Sequence, residues 1–449
     1  MTKLGNPLRP HSWMGPVLAI LCVVGMWTYL QRVLIGHQIS YAEAHDRPRG
    51  NLSDLYPRWL GARELLLHKR NPYGADISRE IQAGYYGRPL DASRASDPKD
   101  EQGFAYPIYA VFFLAPTIGL HFAMVQRSFF WILVLLTCVS VLFWLKILRW
   151  SAARSSQASL VLFTLGSLAI LQGLKLQQIS LLVAGLLSVA MLLFVRDHLV
   201  TAGILLGVTT IKPQLVLPLL CWLTLWTFAD WRLRYRWVVS FLLTMAILCA
   251  GSEWLMPHWI PRFWQAVRDY QKYTANMSIM DSLIGTPVSW VLQVIALAAM
   301  VGACWRERGQ PANSLAFAFM LSLVLAMTVL LLPSSSTYNQ VLLIPALLLL
   351  VKDRHNIWRR SPATRVLFAV LAGLVCWPWI SGVALAVLSF ILPTNSVDRV
   401  WALPTWTLAP IPVAVGALML VNYYQTTFDT PAASTRRRML GDQPPAQEP

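Results

Sequence analysis

Residues 13–35 read WMGPVLAILCVVGMWTYLQRVLI, a run of 23 residues in which Arg32 is the one charged side chain. A helix of about 20 mostly apolar residues crosses the ~30 Å hydrocarbon core of a bilayer, so this run predicts a membrane span. The pattern repeats down the chain, at 129–148, 160–176, 179–195, 237–256, 286–304, 315–332, 341–351, 366–390 and 401–424. Hydrophobic residues make up 56% of the 449 and charged ones 13%, about half the charged share of soluble domains. One water-soluble core cannot absorb that much apolar surface. The fold class is therefore an all-α integral membrane protein, a polytopic helical bundle of ten to thirteen spans.

The first run is long enough to span and is followed by others. It reads as an uncleaved anchor and not a signal peptide, although Ala42-Glu43-Ala44 has the form of a cleavage site. The six cysteines all lie inside apolar runs without metal-ligand spacing, and read as small buried hydrophobes. The net charge of +16 is no mark of nucleic-acid binding, because no phosphate loop or aromatic-basic platform accompanies it. The cations gather instead at span ends, at Arg149 and Arg154, Arg196, Arg232/Arg234/Arg236, Arg306/Arg308, Lys352/Arg354/Arg359/Arg360 and Arg436/Arg437/Arg438. Short cytoplasmic loops beside an anionic leaflet show this bias. It predicts cytoplasmic N- and C-termini, a disordered cytoplasmic tail over 429–449, and a single membrane domain over 1–428.

Two stretches fit less well. Residues 106–120 and 200–228 are apolar but awkward in length. If the first crosses fully and the second is one broken helix, the count is twelve, which is the preferred reading. It leaves Arg149, Arg154 and Arg196 on the outer side, against the charge bias. In the alternative, 106–120 is a re-entrant half-helix and 200–228 a hairpin with Lys212-Pro213 at its tip. That version needs a cavity, since irregular backbone at membrane depth must face protein or water.

The segment from 36 to 106 carries ten of the chain's 21 acidic residues. Connections between helices usually run two to eight residues, and longer ones are functional or disordered. Its tyrosines, tryptophan and Pro-Tyr steps mark this external loop as ordered. Within it, Ser53-Asp54-Leu55-Tyr56-Pro57-Arg58-Trp59 opens a short helix with Leu55, Trp59, Ala62 and Leu66 on one face. Such a helix suits the membrane interface, apolar face down, with its arginines near lipid phosphates. Asp54 stands at its start. The plain account of that acid is a helix cap; the functional account is a general base.

Further residues fall in a familiar order. After Ser53-Asp54-Leu55-Tyr56 come Asn71-Pro72-Tyr73-Gly74 and Phe104-Ala105-Tyr106-Pro107, leading into Phe112-Phe113-Leu114-Ala115-Pro116. Then follow Gln177-Gln178-Ile179-Ser180 and Gly203-Ile204-Leu205-Leu206-Gly207, running to Lys212-Pro213-Gln214. The series resembles the GT-C glycosyltransferases of family 87 (DUF2029), the polyprenol-phosphate-mannose-dependent α-mannosyltransferase type, over about residues 13–350. The resemblance implies a GT-C bundle of about twelve transmembrane helices, with membrane-parallel helices in the long external loop. It implies a hexosyltransferase that moves a sugar, mannose in the first instance, from a polyprenyl-phosphate donor to a glycolipid or envelope-glycan acceptor. The reaction would invert the anomeric centre on the outer face of the cytoplasmic membrane, with Asp54 as general base. Arg58 and Lys212 are candidate phosphate-binding cations, with Lys175 behind them. Tyr73, Tyr106, Gln178 and Tyr338 are candidate substrate contacts. Gln177 departs from the Gly that relatives place before the Gln. Tyr338-Asn339 stand where relatives often carry a His. Beyond the lipid-linked sugar no cofactor or metal is implied, and the partners are lipids and glycans, not nucleic acid. The competing class is a transporter or flippase. It would show matched broken helices in two halves, and none matches Lys212-Pro213 after residue 230.

Overall fold

The computed structural model describes residues 13–50, 53–91, 93–274, 277–333 and 336–439, and among them every regular element is helical. Six helices are long and apolar enough to cross a membrane: Met14–Ala44, Phe122–Ile147, Trp231–Leu255, Thr286–Glu307, Pro362–Leu388 and the stretch Thr394–Thr427. The pair Arg154–Gly166 and Leu168–Lys175 makes a seventh if its 61° bend lies within one span. Shorter apolar helices stand among these, Ile179–Val195, Leu199–Thr209, Leu217–Phe228, Leu315–Leu331 and Thr337–Lys352. The chain is a multi-pass helical membrane protein. Its long helices keep apolar side chains such as Leu242, Ile247, Trp290 and Ile380 exposed, as a lipid-facing surface requires. Central helices such as Leu315–Leu331 are buried along most of their length.

Hydrogen bonds sort the connections to two ends of the bundle. At one end Arg149 donates to the Asn313 carbonyl. Arg234 donates to the carbonyls of Arg308, Gly309 and Gln310, Lys352 to that of Leu148, and Arg360 to Asn422. The other end gathers the 45–109 connection with Tyr270, Tyr338 and Asp398. Helix Arg154–Gly166 runs on through Leu168–Lys175 to Lys175 in the latter group, which leaves Arg154 at the basic end. Arg196 is there too, because the neighbouring Phe194 packs on Trp226 and Trp237. The conflict in the preferred routing therefore disappears, and both of its assumptions are corrected.

Residues 106–120 do not cross. They hold a five-residue helix, Ala110–Leu114, and a short turn. Both ends are tied to first-loop side chains, with Tyr73 donating to the Tyr106 carbonyl at 2.6 Å and Trp59 to that of Thr117 at 3.1 Å. Residues 200–228 form a hairpin, not one broken helix. Gly203 lies so close to Ser240 and the Trp237 carbonyl that a Cβ would come within 2.1 and 2.3 Å of them. Thr210 reaches Met245 further along the same helix. The returning limb then brings Thr227 back to Trp237, whose indole donates to it at 2.7 Å. Lys212-Pro213 is the tip. Proline lacks an N–H and breaks the helix there.

The helix Leu55–His68 is corrected as well. Its apolar face does not lie open on lipid. Leu55, Trp59 and Ala62 are 0, 4 and 0% exposed, packed under Phe104 and Phe122. Arg58 points into protein, not toward a headgroup layer. The final helix runs through Met439, so the stretch 429–449 begins inside it, and residues 440–449 lie outside the described residues. Lys3, Arg9, His11, Ser334 and Ser335 lie outside them too.

Candidate active site

Asp54 precedes the helix Leu55–His68 but does not cap it. Its backbone N–H donates to the Leu176 carbonyl at 3.1 Å, so the residue is pinned to the turn between Leu168–Lys175 and Ile179–Val195. That contact turns the carboxylate away from its own helix. Gln178, in the same turn, donates its amide to one Asp54 oxygen. Tyr85 donates its hydroxyl to the other at 3.4 Å. The approach of Tyr85 depends on Gly50, where a Cβ would lie 1.9 Å from the ring.

Arg58 sits one turn on. It donates to the Asp54 carbonyl and lies over the Tyr106 ring at 4.7 Å. Its Nε is buried with no hydrogen-bond partner. Burial works against its charge, but Tyr106, Asp54 and the neighbouring tyrosines outweigh it and hold the guanidinium protonated. Burial also pushes the Asp54 carboxyl above the usual carboxylate range; Arg58, Lys212, Tyr85 and Gln178 pull the other way without cancelling it.

The two residues face a cavity of about 970 Å³. One wall comes from the first span through Leu30, Leu34 and Ile35, where the helix loosens into a π-turn over Tyr29–Leu34. Gln126, Gln172 and Lys175 line another part, Tyr85, Tyr86 and Asp100 a third, and Tyr270 and Tyr338 reach in from late in the chain. Apolar side chains and a polar, partly cationic group thus line the same cavity.

Of the residues singled out from sequence, Asp54, Arg58, Lys175 and Tyr338 line the cavity, and Gln178 donates to Asp54. Lys212 stands one layer further back. Buried at 7% exposure, it donates to Ser180 at 2.6 Å and lies 5.1 Å from the Tyr338 ring. Ser180 in turn donates to Asn339 at 2.8 Å. Tyr106 supports Arg58. Tyr73 is not brought to the cavity; it packs on Phe104 and holds the Tyr106 carbonyl. Sequence reasoning passed over Tyr85 and Asp100. Nothing marked them out: Asp100 was one of ten acids in the loop and Tyr85 one of 14 tyrosines in the chain. Among the described residues no group of three or more His, Cys, Asp or Glu is placed to hold a metal ion.

The site is a carboxylate and a guanidinium in one cavity of a membrane helical bundle, and comparison says which class of protein carries it. Residues 104–333, just over half of the chain, match the model of glycosyltransferase family 87. The protein belongs to that family. The matched stretch contains Tyr106, Gln178 and Lys212, while Asp54, Arg58 and Tyr338 lie outside it. No curated protein and no solved structure matches the chain. Family membership sets the transporter and flippase readings aside in favour of sugar transfer between a donor and an acceptor.

Proposed function

We propose that this protein transfers a hexose, mannose in the first instance, from a polyprenyl-phosphate carrier to a glycolipid or envelope-glycan hydroxyl. The reaction takes place at the outer face of the cytoplasmic membrane, and both termini are cytoplasmic. The observation that carries this reading is the placement of Asp54 beside Arg58 in the 970 Å³ cavity. The acceptor oxygen attacks the anomeric carbon, the bond from that carbon to the phosphate oxygen breaks, and the hydroxyl proton passes to Asp54. A single displacement of this kind inverts the centre. The departing lipid phosphate needs charge compensation more than a proton. The Arg58 fork supplies it through charge-assisted hydrogen bonds, and Lys212 adds positive charge from behind. The 200–228 hairpin returns to the end it leaves and 106–120 does not cross, so neither changes the side on which the chain emerges.

The test is transfer from polyprenyl-phospho-mannose in vesicles containing the purified protein, read by mass spectrometry of the glycolipids. Wild type should form product. Asp54→Asn should insert and fold but lose about 10²–10⁴-fold in rate, the range for a general base. Wild-type rates in that variant would remove Asp54 from the chemistry.

A further inference from the structure

The acids of the first external connection fall into two kinds. Most of those that are packed or clustered have a cation. Glu64, Asp76 and Glu80 share Arg70 at 2.5–2.9 Å, Asp97 pairs with Arg88, and Asp91 with Arg94 at 3.7 Å. Asp54 and Asp100 both line the cavity, and neither forms an ion pair among the described residues. Burying a carboxylate without an ion-pair partner is costly, so a second carboxylate held this way near the first calls for a reason.

Asp100 is held firmly. Its oxygens accept from the Gln102 backbone N–H at 3.1 Å and the Gln102 side-chain amide at 2.7 Å. Gln102 has φ 52°, left-handed backbone that a residue with a side chain rarely adopts. The Asp100 carbonyl accepts from Tyr86 at 2.9 Å, and the next carbonyl, of Glu101, accepts from Gln82 at 3.2 Å. The loop is thereby stapled to the helix Ala75–Tyr86. Four lone-pair directions on a carboxylate are not exhausted by two donors from one residue. Burial pushes its pKa up and the neighbouring Asp54 adds to this, while Gln102 and the Arg58 charge oppose it.

The occupant's chemistry follows from the surroundings. An anion placed at Asp100, away from the Arg58 fork, would meet this carboxylate with Asp54 nearby. A cation would meet Arg58 and the Arg47, Arg49 and Lys175 side chains on the same cavity. Neutral hydroxyl donors meet neither objection. Tyr85, Tyr86 and Tyr270 border the same cavity, and aromatic side chains of this kind pack against the C–H side of a sugar. Asp100 shares its part of the lining with Tyr85, Tyr86 and Gln102, all polar, whereas Leu30, Leu34 and Ile35 supply the apolar side chains that a polyprenyl chain would follow. Resting on the transferase reading above, we propose that Asp100 is the acceptor-binding carboxylate. A neutral glycosyl acceptor sets hydroxyls against it while Asp54 takes the proton of the attacking one.

Octyl α-mannopyranoside serves as the acceptor probe and polyprenyl-phospho-mannose as donor. In Asp100→Asn the acceptor KM should rise at least tenfold, with kcat at saturation within about threefold and donor KM within about twofold of wild type. An unchanged acceptor KM, a parallel rise in donor KM, or a collapse of kcat at unchanged KM overturns the assignment. Asp100→Glu, which keeps the charge but displaces it, should show the same split and covers the case in which the asparagine variant does not fold. Direct titration of octyl α-mannopyranoside without donor should show a tenfold weaker Kd in the variants, and equal Kd values sink the proposal. Absence of transfer by wild type, with the binding difference intact, would instead remove the donor reading and leave the acceptor site standing.

Discussion

Gln178 donates its side-chain amide to the Asp54 carboxylate, joining residues 124 positions apart. The same turn holds Asp54 by its backbone through the Leu176 carbonyl. The carboxylate is thus aimed by a short connection between two buried helices and not by its own helix. Gln178 acts as a positioning residue for the proposed base. A hydrogen bond to a charged group is worth about 1.5–3 kcal/mol, so Gln178→Ala should lower kcat about 10–100-fold and change acceptor KM little. Gln178→Glu should cost more, since two carboxylates in contact raise each other's pKa. Steady-state kinetics on both variants checks the order, and a glutamate variant faster than alanine would contradict it.

The pH dependence follows from the upward push on the Asp54 carboxyl. A base must be ionised, so transfer should fall on the acid side around a pKa above the ordinary carboxylate value of about 4. The same sign governs stability. A carboxyl that binds its proton more tightly in the folded state adds stability at low pH and loses it as pH rises through the folded pKa. Asp54→Asn should therefore melt at or above the wild-type temperature at pH 7 while being inactive. A clear drop in Tm would mean that the charge is paid back by its partners.

Arg58 offers a rigid two-pronged donor, and lysine cannot reproduce that geometry. Arg58→Lys should raise donor KM about tenfold and Arg58→Ala more, with weaker effects on acceptor KM. Because this guanidinium supplies the charge compensation, EDTA should leave transfer unchanged. A loss restored by Mn²⁺ would overturn that part of the mechanism.

Gly50 gives way to the Tyr85 ring. Gly50→Ala should displace Tyr85, with the predicted Cβ contact of 1.9 Å forcing a shift, and weaken one donor to Asp54. A fall in kcat of about tenfold is expected, and Tyr85→Phe should show a similar loss without the displacement. If the alanine variant is fully active, Tyr85 does not orient Asp54.

Much of this was legible along the chain. Long apolar runs report themselves because lipid accepts nothing else, and the wet connection stood out by its share of acids. Asp54 was singled out by its place at a helix start and by the family resemblance, and Arg58 by standing one turn beyond it. Their partners were harder: Tyr85 and Asp100 meet Asp54 only through the fold, with no spacing to betray them. The helix from Leu55 was misplaced because an apolar stripe looks the same whether lipid or protein covers it. The routing of 106–228 failed for a related reason. Run length alone cannot tell a broken span from two limbs, whereas the contacts of Gly203 and Thr227 with one helix can.

The 199–228 hairpin leaves and returns to the same end of the bundle, so it counts as an even number of passes. Its limbs of 11 and 12 residues measure about 16 and 18 Å at 1.5 Å per residue, too short for either to be inserted alone. Inserting or removing the pair leaves the sidedness of every later segment unchanged. This hairpin, with Lys212 at its tip one layer behind the cavity, is thus a part that evolution can rebuild without inverting the molecule.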